Sequence, residues 1–144
     1  MSDIVSLLSS QPTMAAGYQA MTEELWAHGV IDPVLLELVR IRICQLHGDR
    51  VGSAERTPAA LAAGLDESLV ASLSEWPTHD RFDDRLRCAL GIAELFVIDV
   101  HAVTDEQTEA LQRHLNASEM VAFSVALGLF DGFTRFRLVR AAGL

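Results

Sequence analysis

The chain has 144 residues, with eleven basic residues, all of them Arg, against twenty acidic ones, for a formal net charge of −9. That balance argues against nucleic acid or an anionic membrane as a partner, and the absence of Lys excludes a lysine Schiff-base mechanism. With 50% hydrophobic residues and a length that buries roughly 68–70% of the unfolded surface, a single domain over 1–144 forms a core without disulfides or a structural metal.

Strand signals are nearly absent, whereas helix starts and stops recur along the whole chain, so the expected class is all-α with about six to seven helices. After a short turn around Asp3 to Leu8, the segment from about Thr13 to His28 spaces Met14, Tyr18, Met21 and Leu25 as one buried stripe, with Gly29 as its stop. Asp32 and Pro33 supply an N-cap and a first-turn proline for a helix from Val34 to Leu46 that stops at Gly48. This is the most apolar stretch up to that point, and it is expected at the centre. The next helix begins near Ser53 or Thr57, because Pro58 is tolerated only in a first turn, and ends at Gly64. Asp66 caps a short helix through about Ser74, and Trp76 to Asp80 form a loop. A longer helix runs from about Asp83 to Asp99. Thr104 with Gln107 matches a capping box that opens a helix through Leu115, and Asn116 or Ser118 caps the last helix, from about Glu119 to Val139. The longest apolar run, Met120 to Phe130, falls short of the roughly 20 residues of a membrane span. The two cysteines, Cys44 and Cys88, show neither CxxC nor metal-type spacing, and no basic segment precedes Ile4 to Leu8; both features point to a reducing cytoplasm.

The ordered set Asp32-Pro33-Val34-Leu35-Leu36-Glu37-Leu38-Val39-Arg40-Ile41-Arg42, then Gln45-Leu46-His47-Gly48, then Ala59 to Gly64, resembles the carboxymuconolactone decarboxylase and alkylhydroperoxidase D superfamily. Gly17-Tyr18-Gln19-Ala20-Met21 is similar to that family's first long helix, and Phe82 to Leu90 is similar to its phenylalanine-led acidic helix start. Arg135 falls where the peroxidase branch carries an Asn-Arg pair. The resemblance implies an alkylhydroperoxidase D-like helical bundle that assembles into dimers, trimers or hexamers. In the peroxidase branch it further implies a CxxC pair at a helix start, a histidine a few residues later and a glutamate upstream. There the helix N-terminus lowers a thiolate pKa while Glu and His relay protons. Counted from Gly48, the two thiol positions are held by Asp49 and Gly52 and the histidine position by Arg56. The histidine of the decarboxylase branch is likewise replaced by Glu55-Arg56. Glu37 is what remains of the relay.

Glu37 and Cys44 lie about two turns apart on one helix face. One reading is a lone redox-active Cys44 assisted by Glu37. The other is a small buried hydrophobe beside a structural carboxylate, paired with Arg40 or Arg56. His47, Asp49 and Arg56 gather where the family's reactive centre lies. Asp49 and His47 could form an acid–base pair, or Asp49 could cap the turn after Gly48. The histidines His28, His47, His79, His101 and His114 have no HxxxH or HExxH spacing and the glycines form no phosphate loop, so no metal or other cofactor is implied. Asp83-Asp84 and Asp105-Glu106 fit helix starts, and Arg135, Arg137 and Arg140 fit either anion binding or compensation of a helix C-terminus.

The function expected is that of a diverged superfamily member without the peroxidatic dithiol, forming a homo-oligomer and binding a small molecule in a pocket beneath Glu37, His47 and Asp49. The alternatives are residual hydroperoxide reduction through Cys44 with Glu37, or a structural subunit of a hetero-oligomer. Whether the protein is an enzyme stays open at this point.

Overall fold

A computed structural model describes residues 2–143, with side chains from residue 4 onward; Met1, part of the leader reading, lies outside the described residues. Helices account for all regular structure among them. The first two are α1 (Ser2–Leu7) and α2 (Pro12–Ala27), the second opened by Pro12 at its first turn and closed by Gly29 at φ +62°. A left-handed residue after a helix is most easily supplied by glycine. α3 (Pro33–Leu46) starts on the Asp32 carboxylate, which accepts from the Val34 N–H at 2.9 Å, and stops at Gly48 with φ +69°.

α3 is the axis of the molecule. Residues Leu35 to Ile41 are buried without a break, as expected for a helix surrounded on all sides. It packs on α4 (Arg50–Ala54), α5 (Pro58–Ala62), α7 (Asp84–Ile98) and α9 (Ala117–Ala141). Between α5 and α7 lie α6 (Glu67–Ala71) and a 3₁₀ turn, Leu73–Glu75, and α8 (Asp105–Gln112) precedes α9. Side-chain caps define the later helices. Asp66 and Asp83 accept from Ser68 and Leu86 N–H groups, and two reciprocal capping boxes join Thr104 with Gln107 and Asn116 with Glu119.

Three features depart from the sequence-based expectation. The helix expected from Thr57 is present as α5, but a separate helix, α4, precedes it, because the residue before a proline favours extended backbone and Thr57 takes ψ 139° ahead of Pro58. This break raises the helix number above six to seven. On α2, Tyr18 and Leu25 are buried as expected, but Met14 and Met21 are 62% and 46% exposed, and Ala15 and Trp26 complete the buried face in their place. The helix is rotated by about one residue relative to the expected stripe, which places the large Trp26 ring 6.0 Å from that of Phe130. Finally, α9 continues to Ala141 and is long and apolar enough to cross a membrane by length and composition. Its inward face, including Phe123, Leu127 and Phe130, is packed into the core.

Candidate functional site

α3 places Glu37, Arg40 and Cys44 at intervals of three and four residues, hence on one face. Glu37 is fully buried, and both carboxylate oxygens are occupied. Arg40 donates from Nε (3.0 Å) and Nη2 (2.7 Å) in a two-pronged pair, while Thr57 donates from its backbone N–H (3.0 Å) and its hydroxyl (2.8 Å). Burial pushes the Glu37 carboxyl up, but the Arg40 charge and these four donors outweigh it and hold the group below its ordinary value. The same guanidinium donates to the carbonyls of Gly52 and Glu55, both at 2.8 Å. Arg40 therefore ties α3 to the break between α4 and α5, the segment whose backbone groups Pro58 leaves without helical partners.

Asp49 caps α4, accepting from the Gly52 N–H at 3.0 Å, and forms a buried ion pair with Arg137 of α9. Burial pushes the Asp49 carboxyl up; the Gly52 N–H and Arg137 bring it below its ordinary value. Gly52 is buried, and a Cβ there would overlap the Arg137 guanidinium and the Asp49 carboxylate and lie 2.8 Å from Cys44 Sγ. The two positions assigned to thiols by the resemblance do begin a helix, but the space a side chain at 52 would occupy is filled by this ion pair. Cys44 itself is 1% exposed, 3.9 Å from Arg40 Nη1 and 3.7 Å from the Thr134 hydroxyl. Burial raises its pKa further than Arg40 lowers it, so the thiol stays protonated at neutral pH.

The remaining candidates go elsewhere. His47 Nε2 meets Asp131 Oδ1 at 2.6 Å, not Asp49, and Asp131 also accepts from Arg135. Arg56 pairs with Glu67 at 2.7 Å and donates to the carbonyls of Ser53 and Glu55; Glu37 takes Arg40 as its partner instead. Among the described residues no group of three or more His, Cys, Asp or Glu side chains could hold a metal ion. Arg137 works neither as an anion site nor as dipole compensation, since it is buried against Asp49. Arg137 lies among Phe133, Phe136 and Leu138 but also between Arg135 and Arg140, so nothing in the sequence singles it out for that pairing. Tyr18 was marked in the sequence only as a buried helix residue and Thr57 only as a helix start, while Thr134 carried no signal that distinguished it from other threonines.

Three cavities adjoin this network. A small chamber of about 30 Å³ brings the polar groups of Arg40, Cys44, Glu55, Thr134 and Arg137 together with Tyr18, Phe130 and Phe133. An almost wholly apolar cleft of about 490 Å³ lies between α2 and α5, with Tyr18, Trp26, Thr57 and Pro58 in its wall. A second apolar cleft, about 410 Å³, lies on the other flank of α2 and includes Met14, Met21, Phe133 and Phe136.

Comparison with known proteins gives a consistent picture. A crystal structure of a protein of unknown function from Agrobacterium tumefaciens, described as a candidate antioxidant defence protein AhpD, superposes with a TM-score of 0.78 at 19% identity, over 92% of this chain and 90% of that one. The shared fold is thus an alkylhydroperoxidase D-like helical bundle. Two uncharacterised proteins of Mycobacterium tuberculosis, from different strains, are each 33% identical over 84 residues, which is 58% of this chain and 30% of theirs, so the match spans under a third of their length. The family model for carboxymuconolactone decarboxylases matches residues 12–95, from the start of α2 into α7, and takes in Glu37, Arg40, Cys44, Asp49 and Thr57. On that match, the chain belongs to the carboxymuconolactone decarboxylase family.

Proposed function

We propose that this protein is a diverged, alkylhydroperoxidase D-like family member, without a peroxidatic dithiol, that holds a small neutral apolar or weakly polar molecule in the cleft between α2 and α5. The observation that carries this reading is the cleft itself. Its volume of about 490 Å³ falls in the range of small-molecule sites, its wall is apolar, and its lining residue Thr57 is fixed by Glu37. In this reading Glu37 and Arg40 are positioning residues, because every polar atom they present is already engaged within the protein. His47, Asp49 and Arg56 support the surrounding turns and do not line the cleft. The test is titration with the neutral fluorophore N-phenyl-1-naphthylamine. Saturable one-to-one binding is expected, weakened about tenfold or more by Ala27→Trp, which places a ring in the cleft from an exposed position. Unsaturable binding, or unchanged affinity in the variant with intact helicity, would overturn it.

A second reading, hydroperoxide reduction at Cys44, draws support from the guanidinium groups of Arg40 and Arg137 beside the thiol. Its first step would transfer one peroxide oxygen to the sulfur, giving a sulfenic acid and releasing the alcohol. Dimedone trapping after peroxide treatment decides it: a Cys44 adduct supports the reading, and a native protein that stays unlabelled refutes it. We further propose a homo-oligomer in the cytoplasm. The exposed apolar residues Met14 and Met21, beside the 410 Å³ cleft, support the assembly, and the free thiols Cys44 and Cys88 support a reducing compartment.

A further inference from the structure

We propose that Tyr18 is a gate: its ring separates the apolar clefts flanking α2 from the buried chamber at Cys44, and it determines which molecules reach the thiol. Tyr18 lines all three cavities. Its ring packs edge-on against Phe133 at 4.4 Å, and Phe133 lines both the chamber and the second cleft. The phenol hydrogen-bonds to Thr22 on its own helix, one turn on, and lies close enough to Arg137, Arg40 and Glu55 to feel their charges. A rotation about the Tyr18 side-chain bonds would therefore join an apolar cleft of about 490 Å³ to the chamber at Cys44 without unfolding a helix.

The chamber also sets the class of molecule that can enter. At about 30 Å³ it has room for about two waters, or for a molecule of a few heavy atoms. Its two guanidinium groups face three carboxylates. Arg40 is paired with Glu37 and Arg137 with Asp49, while Glu55 Oε2 lies 3.9 Å from Arg137 Nη1. With positive charge already compensated, the site favours small neutral, hydrogen-bonding molecules over anions. The gate stands on this geometry whether or not the cleft holds a ligand, so failure of the binding experiment above leaves it intact.

The experiment follows alkylation of Cys44 in a Cys88→Ser background, using two reagents of similar size and opposite charge character, neutral iodoacetamide and anionic iodoacetate. With Tyr18 in place, labelling by either is expected to be slow under native conditions. Tyr18→Ala should accelerate iodoacetamide labelling about tenfold or more, with a smaller effect on iodoacetate, and Tyr18→Phe should not, because the ring forms the partition. Tyr18→Leu, which keeps apolar bulk but not ring length, serves if the alanine variant folds poorly. Leu115→Ala, remote from the chamber, serves as the control, compared at a urea concentration giving equal stability. Labelling of Tyr18→Ala and Tyr18→Leu no faster than that control would overturn the gate. Equal acceleration of both reagents would overturn the charge preference.

Discussion

Replacing Glu37 by Gln is the most direct measure of how the site is held. The amide keeps one oxygen, able to accept from Arg40 Nη2 and the Thr57 N–H, while its NH₂ replaces the oxygen that accepts from Arg40 Nε and the Thr57 hydroxyl. The hydroxyl can rotate to accept; Arg40 Nε–H cannot, and two donors then face each other. More costly, Arg40 stays buried without its counter-ion, and breaking such a pair from one side costs about 3–5 kcal/mol, or roughly 9–15 °C in Tm for a domain of this size. Urea and thermal unfolding followed by circular dichroism would measure it. The pH dependence gives a second check. The Glu37 carboxyl is held below its ordinary value of 4.5, so its stabilising contribution is complete above that pH and is lost as pH falls through the lower folded value. Gln does not titrate, so the stability gap between wild type and E37Q should be constant near neutrality and narrow below about pH 4.5. A loss under about 1 kcal/mol at pH 7, or a gap that does not narrow in acid, would refute the assignment of Glu37 and Arg40 as one buried unit.

Gly52→Ala should displace the Asp49–Arg137 pair and cost about 1–3 kcal/mol in urea unfolding, an overpacking penalty at a site where the neighbours are charged. Asn116→Ala removes one half of the capping box of α9 and should lower stability by about 1 kcal/mol, read as a Tm shift of roughly 3 °C. Met21→Glu, at an exposed position beside the α2–α9 cleft, should shift sedimentation equilibrium toward monomer without altering helicity if that face joins two copies; an unchanged mass would place the assembly elsewhere.

Much of the helix architecture was legible because its signals are local. Asp32, Asp66, Asp83, Thr104 and Asn116 act as caps where their sequence context places them, and Gly29, Gly48 and Gly64 all adopt positive φ at helix ends. The exposed methionines of α2 were not legible, because apolar spacing alone does not choose between two adjacent stripes when Trp26 lies on one of them. The site divides in the same way. Glu37 with Arg40 is a neighbour relation on one helix and could be anticipated from spacing. Asp49 with Arg137, His47 with Asp131 and Cys44 with Thr134 join α3 or the turn after it to α9, across 84 to 90 positions, and no periodicity encodes such a pairing. Even Arg56, the neighbour of the Thr57 that does reach Glu37, turns to Glu67, because the extended backbone at Thr57 brings a different side chain to the carboxylate.

The Asp49–Arg137 pair has a bearing on any attempt to engineer a dithiol into this scaffold. Writing Cys at 49 and 52 looks like a two-codon change, yet it removes the counter-ion of a buried guanidinium and drives a sulfur into the volume that guanidinium fills. Left with only the more distant Glu55 at 3.9 Å, the guanidinium would cost up to about 3–5 kcal/mol, a large part of the 5–15 kcal/mol that typically separates folded from unfolded domains. A viable design therefore begins on α9, by replacing Arg137 with a shorter neutral residue, and only then edits the helix start that faces it.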